Sequence, residues 1–343
     1  EVEILTFTMQ YPDFLFPGKT QYSDDPQPKD LRITRVMNSI NPVSWVRTGR
    51  LIRKEKADLL VVKFWIPLMA PCLGTIARIG RKGGTRVVSV LDNVIPHEPH
   101  FWDKWFIRYF IGSVDRFVAM SDSVRTDCEK FINRKHPQPV TLCPHPLYDN
   151  FGAPLPKDEA RKQLGLDKDA VCLLFFGFIR DYKGLDLLMK AYADPRFAGK
   201  KVQLVVAGEF YNNGAQYTEL EQQLGLQGRI AWHTNFIPDD KVRVYFSAAD
   251  LVVQPYKTAT QSGVTQIAYH FCKPMLVTNV GGLAEIVPNG KVGYVTAVEP
   301  KAIADAILDF CERGDAECFR TGIEEEKKKY AWSRMTEAII SNS

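Results

Sequence analysis

The feature that most constrains this chain is a repeated alternation of short apolar runs with amphipathic, helix-like segments. Runs of strand length stand at "VEILTFT", "ADLLVVKFW", "TRVVSVLDN", "DRFVAMS" and "QPVTLCPHP", then at "AVCLLFFGF", "KVQLVVAG", "RIAWHT", "LVVQPY", "PMLVTN" and "GYVT". Helix patterns separate many of them, such as "SDSVRTDCEKFINR", for which Ser121 or Ser123 is the predicted N-cap. Strands that alternate with helices form parallel sheets with helices on both faces. The sequence therefore predicts an α/β protein of doubly wound, Rossmann-like domains.

The length of 343 residues suggests two such domains. A stretch rich in prolines and charges at 145–168 interrupts the alternation, which then restarts. We predict an N-terminal domain at 1–148, a C-terminal domain at 149–330, and a last helix at 331–343 that returns toward the N-terminal domain. The chain opens inside the strand pattern "EVEILTF" without a starting Met, so we expect sequence upstream of it.

Composition narrows the functional classes. The seven cysteines are scattered and form no Cys-x-x-Cys pair, which argues against a disulfide scaffold or zinc site and favours a reducing compartment. No apolar run approaches the ~20 residues that cross a bilayer. The net charge of +4 suits anionic small molecules or an anionic membrane surface. Because the basic residues are dispersed, no nucleic-acid partner is expected.

The stretch "GFIRDYKGLD" is the strongest candidate for a binding site. It joins a buried strand to a helix, and ligands of parallel α/β sheets bind at the carboxyl ends of strands. Gly177 permits close approach of the backbone, the helix start offers amides, and Arg180 and Lys183 add two cations. This combination suits a diphosphate. The alternative, an ordinary helix start with a surface Arg and Lys, stays open.

Two further strand ends offer backbone amides, flexible glycines and one carboxylate. They are the loop "TATQSG" with the helix start after it, and the turn "VGGLAEIV". The residues concerned are Gln261, Ser262, Gly263, Val264, Gly281, Gly282 and Glu285. Donors for phosphate and hydroxyls, with an acceptor for sugar or ribose, match what a nucleotide-sugar needs.

At these residues the sequence resembles a known family. "FGFIRDYKGLDLLMKAY", "VVAGEF", "ADLVVQPY", "KPMLVTNVGGLAEIVPNGKVGYV" and "AWSRMTEAI" look like the C-terminal half of family 4 glycosyltransferases with the GT-B fold. The resemblance implies two Rossmann-like domains facing across a cleft. It implies a nucleotide-diphosphate-sugar donor on the C-terminal domain, a glycan or lipid-linked acceptor on the N-terminal domain, retention of anomeric configuration, and neither metal nor cofactor. It makes Arg180 and Lys183 the diphosphate-binding, catalytic cations.

The resemblance also implies roles that the residues alone leave open. Gly208 and Glu209 would lie beside the nucleotide, although Glu209 fits an exposed loop carboxylate equally well. Asn235 and Phe236 would contact the base, with core packing as the alternative for Phe236.

One departure from the family pattern concerns two glutamates that usually precede the "GKP"-like turn. Ala259 and Ile267 stand there instead, although "TQSGV"-like loops are similar to those of a subgroup. The departure motivates a second hypothesis, a catalytically reduced protein that binds nucleotide-sugar or glycan without turnover. A sugar-nucleotide epimerase is the third.

The N-terminal half supplies candidates for the acceptor side. Asp92 follows "VVSVLDN", where related enzymes place residues that contact sugar, and His97 follows it as a candidate proton-transfer group or an ordinary loop histidine. The segment "FWDKWFIRYFI" predicts a core-facing helix or, as the alternative, a peripheral membrane contact. We therefore expect a cytoplasmic protein, with a place at the inner face of the membrane left open.

Overall fold

The computed structural model describes residues 1–12, 28, 30–96, 100–211, 214–259, 262–313 and 316–341. Two compact units divide the chain. The first comprises Glu1–Pro144 together with the terminal stretch from Thr336, and the second comprises His145–Met335. The sequence puts the boundary after residue 148, a few residues further along.

The first unit contains six strands and four helices among its described residues. In chain order they are β1 (Glu3–Met9), β2 (Arg32–Asn38), α1 (Pro42–Glu55), β3 (Leu59–Phe64), α2 (Ala70–Arg81), β4 (Arg86–Leu91), α3 (Asp103–Ile111), β5 (Arg116–Ala119), α4 (Asp122–Glu129) and β6 (Val140–Leu142). Strands β3, β4, β5 and β6 form one parallel sheet in that order, and β1 and β2 form a separate parallel pair. Ser121 is the N-cap of α4, since its hydroxyl accepts from the amide of Val124.

Strand β2 is absent from the strands that the sequence predicts. Its sequence, "RITRVMN", carries charged residues at Arg32 and Arg35, which interrupt the apolar run. Pairing with β1 and packing of Met37 against α1 and α2 stabilise it instead. No described strand pairs with the other edge of β1, and the expected upstream sequence stays a prediction.

The second unit contains six strands and nine helices among its described residues, the last helix continuing past Met335. They are α5 (Lys157–Leu164), β7 (Val171–Phe176), α6 (Leu185–Tyr192), β8 (Val202–Ala207), α7 (Ala215–Gln223), β9 (Ile230–His233), α8 (Asp239–Ala248), β10 (Leu251–Gln254), α9 (Gly263–His270), β11 (Met275–Thr278), α10 (Leu283–Ile286), β12 (Gly293–Thr296), α11 (Pro300–Arg313), α12 (Arg320–Lys327) and α13 (Trp332–Ile340). All six strands are parallel, in the order β12-β11-β10-β7-β8-β9.

This order explains where a ligand can bind on the second unit. Numbered within the unit, the strands run 3-2-1-4-5-6, so the order reverses between β7 and β10. Helices cover both faces, and the central strands are accordingly continuous apolar runs, such as "VCLLFF" in β7 and "LVVQ" in β10. In this fold the carboxyl ends of the strands at such a reversal are the usual binding place of a ligand.

Two predictions about helical surfaces need correction. In "FWDKWFIRYFI" the predicted apolar stripe divides. Helix α3 buries Ile107, Phe110 and Ile111, whereas Trp105 and the preceding Phe101 are exposed. The run "EEEKKK", whose charges predict a solvated helix face, is largely exposed, but Glu326 is an exception: it is buried and forms ion pairs with Lys291 and Lys329. Within the described part of the chain, none of the helices has both the length and the apolar character that a bilayer crossing requires.

Candidate functional site

The candidate site of the second unit is built on two glycine turns at the ends of β7 and β8. Gly177 has φ +94° and Gly208 has φ +137°, backbone conformations that side chains disfavour. A Cβ built on Gly208 would lie 2.4 Å from the carbonyl oxygen of Gly177. The turns run side by side, joined by a bridge between Ile179 and Phe210. Only glycine at 208 lets the two backbones approach this closely.

Lys183 points toward this pair of turns and toward the start of α9. It ends a 3-10 turn over Asp181–Lys183 and is partly buried. A Cβ built on Gly177 would lie 3.1 Å from Lys183 Nζ and 3.8 Å from Val264 Cγ2. The ammonium, the glycine turn and the first turn of α9 therefore converge at the point where the strand order reverses.

The electrostatics of Lys183 differ from those of an ordinary surface lysine. Burial, and secondly the nearby Arg180 guanidinium, lower the pKa of Lys183 from its usual 10.5 to about 8. No ion pair joins Lys183 or Arg180 to a carboxylate in the described part of the chain, whereas Lys257 pairs with both Asp181 and Asp186. A bound anion would supply the counter-charge that Lys183 lacks.

Arg180 is exposed and lies at the rim of the site. Its guanidinium stands 3.7 Å above the centre of the Tyr211 ring, a cation–π geometry. The amide of Tyr211 donates to the carbonyl of Ile179, so the loops after β7 and β8 are tied together beside Arg180. Tyr211 is not among the residues that the sequence predicts for the site. Its one signal is its place after "AGEF", at the end of the next strand in the sheet.

The start of α9 has an unusual cap. Ser262 is the N-cap residue, but its hydroxyl donates to Oε1 of Gln254 at 2.6 Å and does not cap the helix. Tyr256 OH lies 3.3 Å from the same hydroxyl. The ring of Tyr148 packs on Gly263, where a Cβ would lie 3.0 Å from the ring. These contacts hold the first turn of α9 in place. The Ser262 side chain accepts no hydrogen bond from the first amides of α9.

The start of α6, by contrast, is occupied by protein. A Cβ on Gly184 would lie 1.9 Å from the carbonyl oxygen of Pro255, and Leu185 is fully buried. The amide of Lys257 donates to the carbonyl of Tyr182, which joins the loops after β7 and β10. Of the two helix starts that the sequence brings to the site, the structure places that of α9 beside Lys183.

The remaining predicted nucleotide contacts lie along the same edge of the sheet. Glu209 follows β8, is partly buried, and accepts from the amide of Ile179 through its carbonyl. Asn235 and Phe236 follow β9, and Phe236 is 63% exposed, so the core-packing alternative for it is wrong. The residues after β11 are Gly281, with φ +51°, Gly282, the N-cap of α10, and Glu285, which is exposed on α10. Gln261 lies outside the described residues.

The predicted acceptor-side residues belong to the first unit. Asp92 follows β4, where its amide donates to the carbonyl of Phe64. Its carboxylate lies 3.1 Å from Lys63 Nζ, in an ion pair that the sequence analysis missed. His97 lies outside the described residues.

Sequence comparisons point to one class of enzyme. The profile of a family described as "Glycosyl transferases group 1" matches residues 156–329. The chain is similar to D-inositol 3-phosphate glycosyltransferase 2 of Catenulispora acidiphila, 31% identical over 196 residues that make up 54% of this chain and 45% of that protein. It is 28% identical over 205 residues to lipopolysaccharide 1,2-N-acetylglucosaminetransferase of Salmonella typhimurium, covering 53% and 50% of the two chains. The chain thus spans about half the length of these curated relatives.

Solved structures extend the likeness across both units. A glycosyltransferase of Rickettsia africae matches with a TM-score of 0.68 and 15% identity, covering 92% of this chain and 86% of its own. Anabaena HepE in complex with UDP matches with a TM-score of 0.68 and 17% identity, covering 90% and 84%. At such identities the likeness bears on the fold.

Proposed function

The chain belongs to the family of glycosyl transferases group 1 and has the GT-B fold predicted from its sequence, and on that premise we propose that it transfers a sugar from a nucleotide-diphosphate-sugar to a glycan or lipid-linked acceptor. The observation that carries the proposal is the convergence of Lys183 Nζ, the Gly177 turn and the start of α9 in the second unit. The curated relatives named above are transferases of sugars, and HepE was solved with UDP bound. The proposed donor site takes the diphosphate of such a nucleotide.

In the proposed reaction the site stabilises the leaving group. The bond from the sugar's anomeric carbon to the diphosphate oxygen breaks, and negative charge develops on that oxygen. Lys183 and Arg180 lie where fixed cations would lower the energy of this charge, together with the first amides of α9. A guanidinium can donate to two phosphate oxygens at once, whereas the ammonium acts as a compact charge.

The fate of the acceptor proton completes the proposed step. The acceptor hydroxyl oxygen forms its bond to the anomeric carbon on the face that the diphosphate leaves, so the configuration is retained. Its proton passes to the departing phosphate oxygen, and no protein nucleophile or metal ion takes part. Asp92 is the proposed acceptor-side residue, with His97 beside it in the sequence. Its pairing with Lys63 supports a role in holding hydroxyls, since a paired carboxylate still accepts hydrogen bonds.

The proposed location is the cytoplasm, at the inner face of a membrane. The seven scattered cysteines, with no Cys-x-x-Cys pair, favour a reducing compartment. Lipid-linked acceptors would be presented at such a surface.

The test of the donor site is a binding panel. Thermal shift and calorimetry with UDP, ADP and GDP and their sugars should show one nucleotide that stabilises the protein, since a ligand of the folded state raises its melting temperature. Lys183→Ala should reduce that shift, because the affinity falls by about tenfold or more. Lys190→Ala is the matched control, because Lys190 is exposed on α6 and pairs with Asp186. If Lys183→Ala bound every nucleotide as tightly as the parent protein, the assignment would be wrong.

The test of the reaction is product analysis with the nucleotide that binds. Incubation with its sugars and with lipid or glycan acceptors should give a product whose anomeric configuration, read by NMR, matches that of the donor. Chelation of divalent ions should leave the rate unchanged. Inversion of configuration, or a rate lost to the chelator and restored by a metal ion, would contradict the proposed chemistry.

A second candidate function rests on the two departures from the family pattern. Ile267 is buried in the core of the second unit, and Ala259 packs against that core, so neither position offers a hydroxyl-binding group. A protein that binds the donor without turnover would show the thermal shift but neither transfer nor slow donor hydrolysis. Release of any free sugar or sugar product from the donor would exclude it.

A further inference from the structure

The outer face of helices α1, α2 and α3 in the first unit carries aromatic side chains that the core does not use. Phe101, two residues before α3, is 80% exposed and Trp105 on α3 is 65% exposed, although α3 already packs well through its other face. There Phe110 stacks on Phe64 with ring centroids 4.2 Å apart. The fold therefore gains little burial from Phe101 or Trp105. Large aromatic side chains exposed next to one another mark a surface that contacts something else.

Exposed basic residues without ion-paired carboxylates lie on α3 beside Trp105 and on α1. Helix α1 buries Thr48 and Ile52 and presents a stripe at helical spacing on the opposite side. The stripe begins with Val43 and continues with Arg47, Arg50 and Lys54. Lys104 and Arg108 are likewise exposed on α3. None of these five cations forms an ion pair with a carboxylate in the part of the chain that the structure describes.

Some exposed cations elsewhere on the first unit are paired. Arg81 binds Asp115 at 2.6 Å, Lys130 binds Asp127 at 2.7 Å, and Arg125 binds Asp122 at 2.6 Å. At these positions a neighbouring carboxylate neutralises the cation, whereas the cations on the outer face of α1 and α3 have no such ion pair among the described residues.

The three helices form one layer. Gly49 of α1 packs against Ile79 of α2, where a Cβ would lie 2.7 Å from the isoleucine side chain. Gly74 of α2 packs against the ring of Tyr109 on α3, where a Cβ would lie 2.8 Å away. Because α2 lies between its neighbours and each helix buries the opposite side, the stripe of α1 and the aromatics of α3 leave the layer on the same side.

We propose that this face docks on the surface of an anionic bilayer. Phe101 and Trp105 enter the boundary between headgroups and acyl chains, where the indole N–H keeps access to water. The five cations, Arg47, Arg50, Lys54, Lys104 and Arg108, contact lipid phosphates. Charge complementarity selects the occupant: the described surface of α1 and α3 is strongly basic, aromatic and poor in carboxylates, a combination that matches anionic headgroups over hydrocarbon. The inference is independent of the proposed function, since binding to lipid needs no donor or acceptor.

The experiment is co-sedimentation of the full chain with vesicles. Phosphatidylcholine vesicles with about 30% phosphatidylglycerol should bind the protein, pure phosphatidylcholine vesicles should bind it weakly, and salt should release it. Arg47→Glu with Arg50→Glu should weaken partitioning by at least about thirtyfold, since each cation contributes about fivefold. The control, Lys162→Glu with Lys168→Glu, changes the net charge equally on exposed lysines of the second unit and should leave binding unchanged.

The aromatic contribution has its own variant and readout. Phe101→Ser with Trp105→Ser should weaken binding at least about tenfold while leaving the melting temperature unchanged, since neither side chain is buried. Lipids brominated near the headgroup should quench tryptophan fluorescence, and Trp105→Phe should remove most of that quenching. Equal binding to neutral vesicles, equal loss in the charge control, or quenching that survives Trp105→Phe would overturn the proposal. So would light scattering that shows a dimer dissociated by the double serine variant, because the face would then bind a second copy.

Discussion

Two lysines of the second unit, one where a strand ends and one where a strand begins, both have a lowered pKa, yet their surroundings differ. Burial lowers the pKa of Lys183 and of Lys273 alike, each from 10.5 to about 8. Lys273 lies where β11 begins and donates to the carbonyls of Ser247 and Ala249 at 3.2 and 2.8 Å. Lys183 lies where β7 ends and has no carboxylate partner among the described residues.

The comparison teaches that a shifted pKa does not identify a binding lysine. At the Lys273 edge the neighbouring charges are saturated, since Asp250 accepts from Arg161, Lys157 and the amide of Cys172. At the Lys183 edge a cation faces glycine backbone and a helix start. The first arrangement stabilises the fold, and the second leaves room for an anion. The two lysines differ in the hydrogen-bonding and charged groups around them, and variants of those groups should show the difference.

The largest expected effect belongs to the saturated edge. Asp250→Ala leaves the buried guanidinium of Arg161 without its carboxylate and should lower the free energy of unfolding by about 3–5 kcal/mol. Urea denaturation measures it. Asp240→Ala is the control, because Asp240 is exposed and lies 3.7 Å from Lys241, and it should change stability by less than about 0.5 kcal/mol. Nucleotide affinity of Asp250→Ala, measured well below its melting temperature, should match the parent protein. Equal stability of the two variants would show that the Arg161 cluster is not structural.

Exchanging each lysine for methionine should separate the edges. Lys273→Met leaves two carbonyls without their donor and should lower the free energy of unfolding by about 1–3 kcal/mol, with nucleotide affinity unchanged. Lys183→Met removes a partly buried charge that has the Tyr256 ring 5.8 Å away but no carboxylate partner among the described residues, so stability should stay the same or rise. Its nucleotide affinity should fall by about tenfold or more, as expected for a lost charged hydrogen bond of about 1.5–3 kcal/mol. A Lys183→Met protein that lost stability and kept its affinity would reverse the comparison.

Some of this site could be predicted from the sequence, and the reason lies in its locality. Arg180, Lys183 and Gly177 stand within one strand-to-helix turn, so the loop pattern alone brings them together. Most strands could also be predicted from the sequence, because strands that are covered on both faces are continuously apolar. The apolar pattern does not predict β2, because its arginines interrupt the apolar run. Pairing with β1 stabilises this strand instead.

Contacts between loops that are far apart in the chain could not be predicted from the sequence. That β10 lies next to β7 follows from the strand order, which brings Val264 to Lys183 across many intervening residues. The bond from Ser262 to Gln254 and the stacking of Arg180 on Tyr211 depend on side-chain geometry that no spacing specifies. The aromatic side chains of α3 show the same limit, because helical periodicity gives a stripe but not the side of the helix that the core covers.

The pH dependence of nucleotide binding should distinguish the two lysines in one titration. A lysine whose folded pKa of about 8 lies below its usual 10.5 lowers stability below pH 8, and this loss is relieved as the pH rises from 8 to 10.5. Both lysines contribute to stability in this way. A bound diphosphate restores the charge of Lys183 alone, so affinity should fall about tenfold between pH 7 and about pH 9, as Lys183 deprotonates in the free protein.

Calorimetry across this range measures the slope, and two variants test its origin. Lys183→Arg keeps its charge at every pH and should flatten the dependence. Lys273→Met should leave the slope as it is in the parent protein. If Lys273→Met instead removed the pH dependence of nucleotide affinity, the titrating group would be Lys273 and the assignment to Lys183 would be wrong.

The smallest expected effect concerns Tyr211, which sharpens the comparison at the open edge. Its ring lies beneath the Arg180 guanidinium, so it supplies the only described aromatic support that this cation has, without neutralising it. Tyr211→Ala should weaken donor binding two- to fivefold, the loss of about 0.5–1 kcal/mol that an exposed cation–π contact provides. Tyr211→Phe keeps the ring and should restore the affinity. The decisive measurement is the double variant: in an Arg180→Ala background, Tyr211→Ala should have no further effect, because the ring acts through the arginine. Additive losses would mean that Tyr211 contacts the donor itself. The donor site would then include the loop after β8 as far as Tyr211.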